Sequence, residues 1–174
     1  MNNYFNKRHR VPSLFEEAMM GRIYDEPTED EKNHIEKRID YYKNGYKGIS
    51  PSEKRFAVKH PYLATRFIIN REKAIDAVEP FEGKSNGYGD AIRHCYWCAL
   101  NQMTAGLNSP FAKEIGDAHE DESTNDPNAK AMDLHNNNVG YSLGNQAIIN
   151  GWSEEELLNN VINAANNGKL QLGF

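Results

Sequence analysis

No stretch of the chain approaches the roughly 20 apolar residues that a membrane-spanning helix needs. The basic start, Met1 to Arg10, is not followed by an apolar segment, so no conventional signal peptide is expected. Cysteine is scarce. Two residues, Cys95 and Cys98, cannot make a disulfide scaffold. No alternating run of strand length appears, which leaves little room for a sheet. A phosphate-binding loop, a dinucleotide fingerprint and a Gly-x-Ser-x-Gly elbow are all missing, so serine hydrolase chemistry has no support. Positive charge is not in excess. The formal net charge is -5 and the pI about 5.7, which argues against a general nucleic-acid coat but leaves room for a nuclease with an acidic metal site.

What remains points to one helical domain. The 174 residues suffice for a single core. Mean hydropathy is low, at -0.80, yet nine Tyr, seven Phe and two Trp argue against disorder. Thr28-Glu29-Asp30-Glu31 reads as a capping box opening a helix to about Asn44. Ser50-Pro51-Ser52-Glu53 opens another, and Pro61 a third that ends near Pro80. Further helices are predicted over about 90–104, 110–121, 129–149 and 153–167, the first two separated at Gly106 and the next by a polar loop at 121–128. The expected fold is all-α, a single compact multi-helix bundle over residues 28–174. Residues 1–27 are expected to form an arm or short helix.

Charge is distributed unevenly. Residues 84–150 hold four Lys/Arg against eight Asp/Glu, together with His94, His119 and His135. Three helical segments each join a histidine to carboxylates: Asp90–His94, Asp117–Glu120 and Asp133–Asn137. Asp90 and His94 are i,i+4, as are Asp133 and Asn137, while Asp117 and Glu120 are i,i+3, so each pair shares a face. Three helices can thus aim imidazole and carboxylate at one point, an arrangement that holds divalent metals in helical bundles. The expected ligands are His94, His119, Asp133 and His135, around zinc, calcium or magnesium. Glu120 is the expected general base, with Asp90 and Asp117 as supporting carboxylates. Arg93, Asn136 and Asn137 are the expected substrate contacts, the guanidinium fork suiting a phosphate. The competing reading is a non-enzymatic binding protein whose buried polar His/Asp network only ties helices together. His119-Glu120 does not make a zincin motif, because His-Glu-x-x-His would need histidine where Ser123 stands. Cys95-Tyr96-Trp97-Cys98 falls inside a predicted helix with no strand before it, so both cysteines read as small core residues. Trp97, Leu100, Met103 and Phe111 read as core with them.

The segments Asp90-Ala-Ile-Arg-His-Cys-Tyr-Trp-Cys-Ala-Leu100, Asp117-Ala-His-Glu120 and Lys130-Ala-Met-Asp-Leu-His-Asn-Asn-Asn-Val-Gly140 resemble a bacterial domain found at the C-terminal ends of Rhs-type and other polymorphic toxins. Its pattern is D-A-F-R-H-x-Y-W, then A-H-E, then M-D-L-H-N-N-x-V-G, and the stretch from Ser50 to Pro61 is similar too. Ile92 replaces the usual Phe, and Cys98 is additional. The resemblance spans about residues 50–170 and implies an antibacterial toxin or effector. It would be made in the bacterial cytoplasm, exported by a dedicated secretion system and restrained by a cognate immunity protein. A second similarity is to zinc-dependent phospholipases C and related single-strand nucleases, all-helical enzymes that cleave phosphodiesters. Their full ligand set and N-terminal Trp are absent here. The implied activity is a metal-dependent hydrolase of a macromolecular substrate: phospholipid or nucleic acid first, peptidoglycan second.

Overall fold

The computed structural model describes residues 50–121 and 126–173, and these form six helices with no strand among them. The predicted arm over 1–27 and helix over 28–44 lie outside the described residues. So does half of the acidic loop, at 122–125. The all-α bundle expected from the sequence is the fold observed.

Helix α1, Pro51–Lys59, opens on a complete capping box. Ser50 Oγ accepts from Glu53 N at 3.0 Å, and Ser50 N donates to Glu53 Oε2 at 2.7 Å. Helix α2, Pro61–Ala77, follows after one residue and presents Leu63, Ala64, Phe67 and Ala74 inward. A turn through Gly83 (φ 68°) then leads into α3, Tyr88–Ala105. The turn is drawn tight by Gly89 N and Asp90 N, which donate to Glu82 O and Gly83 O at 2.9 Å each. Pro110 starts α4, Pro110–Asp121, and Asp126 caps α5, Pro127–Asn150, through its bond from Asn128 N at 2.7 Å. A left-handed Gly151 ends α5. A second capping box, Ser153 with Glu156, opens α6, Glu154–Asn166.

Helix α3 is the centre of the bundle. Its faces meet α5 most extensively, then α2, α6 and α4. Ala91, Ile92, Cys95, Cys98 and Ala99 are fully enclosed, with Trp97 and Leu100 nearly so. Both cysteines are free and buried, as the core reading required. Burial pushes the Cys95 thiol up to about 12 and raises that of Cys98 as well, so neither is a ready nucleophile. Met103 and Phe111 pack against this core, partly buried.

Helices α3 and α5 come together because α5 has no side chain at two points of contact. A Cβ added at Gly144 would lie 2.5 Å from Ala99 O and 2.6 Å from Gln102 Cβ. One added at Gly140 would press into Cys95 O and stand 3.0 Å from Cys98 Cβ. This close seam sets Asp133, two turns before Gly140, against the first turns of α3.

Candidate metal centre

Asp90, in the first turn of α3, is fixed from two sides. Its Oδ2 accepts from Asn86 N at 2.6 Å, and its Oδ1 is bound by Arg93 one turn on. His94 follows on the same face. Its Nε2 lies 3.6 Å from Asp90 Oδ1 and 3.6 Å from Asp133 Oδ1. All three side chains are buried, and one donor atom from each falls within 4.8 Å of the other two. On its other edge His94 Nδ1 faces Glu120 Oε1 at 3.4 Å. His94 Nδ1 and Asp133 Oδ1 make no hydrogen bond.

Crowding and burial set the charge states. Burial pushes the Glu120 carboxyl up to about 8, helped by the charges of Asp133 and Asp90. Asp133 is pushed up to about 7 by burial and by Asp90, with Arg93 opposing. His94 is held well below its usual range by burial, by Arg93, and by His119 and Arg71, so its imidazole is neutral at pH 7. Neutral imidazole beside carboxylates that resist ionising without a cation is the donor set a divalent ion relieves. The residues present therefore fit a metal, with Asp90, His94 Nε2 and Asp133 as the group that could hold it.

The structure separates the remaining predicted residues. Glu120 is almost fully enclosed, at 1% exposure. It stands behind His94, on the edge away from the two aspartates, where it can orient a ligand but is poorly placed to meet substrate as the predicted base. His119 is not in the ligand group. Its Nδ1 pairs with Glu53 Oε1 at 3.1 Å, and its ring lies edge-on to Trp97 with centroids 5.3 Å apart. Asp117 turns outward to Lys113, at 2.8 Å, because the two are i,i+4 on the exposed side of α4. His135 is also outside. It lies two positions from Asp133, about 200° round the helix, and its Nε2 accompanies Lys169 O at 2.9 Å. Asn136 is structural: its amide donates to Gln171 O and accepts from Gln171 N, each at 2.9 Å. Asn137 is fully buried, and its amide bears on both His94 and Glu120.

A cavity of about 140 Å³ opens beside His94, lined by Arg71, Ile75, Arg93, Trp97 and His119. Glu53 and Arg71 were not singled out from the sequence. The helix start at Ser50 accounts for one oxygen of Glu53, yet the other reaches α4. Although burial pushes the Glu53 carboxyl up, the hydrogen bond and charge of His119, the Ser50 N–H and Arg71 hold it below the usual range.

Fold and centre together define an all-helical protein with a buried carboxylate–imidazole cluster suited to a cation. The chain belongs to the DUF6973 family, a domain of unknown function, whose model matches residues 54–169. That span runs from the first turn of α1 past the end of α6. It contains Asp90, His94, His119, Glu120 and Asp133, and begins one residue after Glu53. No solved structure matches the chain.

Proposed function

We propose that this protein is a metal-dependent hydrolase acting as an antibacterial effector. The observation that carries the hydrolase reading is the convergence of Asp90, His94 Nε2 and Asp133 in a buried group beside an open cavity. Three protein donors leave further positions of a divalent ion for water and substrate. Bound there, the ion would supply Lewis acidity and a water whose pKa falls to about 7. The chain's own residues divide the remaining work. Glu120 orients His94 through Nδ1. His119, steadied by Glu53 and lining the cavity, is placed to carry a proton between water and leaving group. The effector role, with its export and its cognate immunity protein, rests on the likeness of the Asp90–Leu100, Asp117–Glu120 and Lys130–Gly140 segments to polymorphic-toxin termini. Among the described residues no helix is long and apolar enough to cross a membrane.

Metal content of the purified protein, measured beside Asp133→Asn and His94→Ala, tests the centre. Stoichiometric zinc, manganese, magnesium or calcium in the wild type, lost in both variants, is the expected result. No metal in the wild type, no thermal shift on adding any of these ions, and a loss of roughly 3–5 kcal/mol in the variants would identify a structural polar network instead. Loss of toxicity on cytoplasmic or periplasmic expression of Asp133→Asn tests the effector role.

A further inference from the structure

The cavity beside the centre has a chemical bias of its own. Its lining comes from three helices: Arg71 and Ile75 on α2, Arg93, His94 and Trp97 on α3, and His119 on α4. Two of the six are guanidinium groups and two are imidazoles, and none is a carboxylate. The acids lie behind this lining. Asp90 and Asp133 lie against His94 Nε2, Glu120 against its Nδ1, and Glu53 is engaged by His119 and Ser50; none of the four is in the lining. The lining thus presents cationic and neutral groups towards solvent, while negative charge is confined to the layer that would hold a metal.

From this layering we infer that the cavity is a binding subsite for a phosphate group, with Arg71 and Arg93 as its two arms. The inference rests on the metal-dependent reading above and gives that centre its substrate class. Size agrees with chemistry. A volume of about 140 Å³ has room for a phosphate group together with ordered water. Arg93 is held by Asp90 through Nη2 and more loosely by Lys84 O, 3.5 Å from Nη1, and its side chain remains about a third exposed. Arg71 lines the same cavity from a different helix, α2, and its charge reaches both Glu53 and His94. Guanidinium groups on two sides of a concave site hold tetrahedral oxyanions by paired, charge-assisted hydrogen bonds. A neutral glycan would gain little from such a lining, and a cationic peptide would be repelled.

The test is calorimetric titration of the intact protein with inorganic phosphate, with and without added divalent metal, for wild type, Arg71→Gln and Ile75→Glu. Ile75 is more than a third exposed, so the second variant adds a carboxylate to the cavity wall without emptying the core. Phosphate should bind the wild type and weaken at least tenfold in both variants, while their metal content and melting temperature stay near wild type. Arg71→Lys should recover part of the loss. Phosphate binding that survives both variants would overturn the subsite, as would absence of binding in the metal-loaded wild type. Equal competition by acetate would overturn the phosphate class. Displacement of bound phosphate by a short single-stranded oligonucleotide, or by glycerophosphocholine, supports the subsite and separates a nucleic-acid from a lipid source. Phosphate binding that depends on Arg71 in a protein holding no metal would uphold the subsite while refuting the metal centre.

Discussion

Replacing Gly140 by alanine should destabilise the protein, although alanine is the better helix former. In an open helix the exchange gains about 1 kcal/mol. Here the new methyl would press into the Cys95 carbonyl oxygen and come within 3.0 Å of Cys98 Cβ. Neither neighbour is the movable tip of a side chain: one is backbone, the other is rooted in it. Ordinary carbon contacts begin near 3.5 Å, so α5 must retreat from α3 by roughly 1 Å. Overpacking of this kind costs about 1–3 kcal/mol, and set against the propensity gain of about 1 kcal/mol it leaves a net loss of up to about 2 kcal/mol. The retreat also acts on the metal centre. Asp133 rides on α5 seven residues before Gly140, and its Oδ1 stands 3.6 Å from His94 Nε2 on α3. Moving one helix should lower metal affinity at least tenfold, with no ligand altered. Urea melts give the first quantity and metal titration the second. The paired variant Gly140→Ala/Gly144→Ala should lose less than the sum of the two, because one retreat relieves both clashes. A gain of about 1 kcal/mol for Gly140→Ala, as an exposed helical glycine would give, would refute the close seam and the coupling drawn from it.

Three further outcomes are expected. In chelator, the raised carboxyls of Glu120 and Asp133 make the folded protein hold protons that the unfolded chain releases, so stability should rise as pH falls from 8.5 to 7, on the order of 1 kcal/mol per pH unit. The window stops above 6.5, where His94, depressed in the folded state, begins to oppose the trend; a flat or inverted dependence of melting temperature refutes the assignment, and Glu120→Gln should flatten it. Glu53→Ala removes both a helix cap and the partner of His119, and should cost about 1–3 kcal/mol in denaturant melts. Asn136→Ala cuts both bonds to Gln171, so the Gln171 amide should exchange with solvent at least tenfold faster while metal content is unchanged.

The helices were legible in the sequence because their signals are local. Ser50-Pro51-Ser52-Glu53 and Ser153-Glu154-Glu155-Glu156 mark starts, and Gly106 marks a stop. The centre was legible where spacing within one helix decides it, as for Asp90 with His94. It was not legible where the decision depends on rotation of a helix against its neighbours. Asp133 and His135 stand two residues apart, and composition gave no reason to prefer either. Only the glycine face at 140 and 144, which must meet α3, turns Asp133 inward and His135 away. Glu53 shows a different limit. A carboxylate has two oxygens, and the capping box explained one of them, so nothing local announced that the other holds His119.

The position of α3 has a consequence for motion. A helix enclosed by four others cannot open alone, since parting it from α5 also strips α2, α4 and α6 of their contacts. Its central amides, from His94 to Asn101, should therefore exchange with solvent only when the whole domain unfolds. The candidate ligand His94 opens this slowest segment, and Asp90 sits one turn before it. Whatever binds there meets a centre already shaped, and only the side chains at the cavity mouth, Arg71, Arg93 and His119, are left to adapt to it.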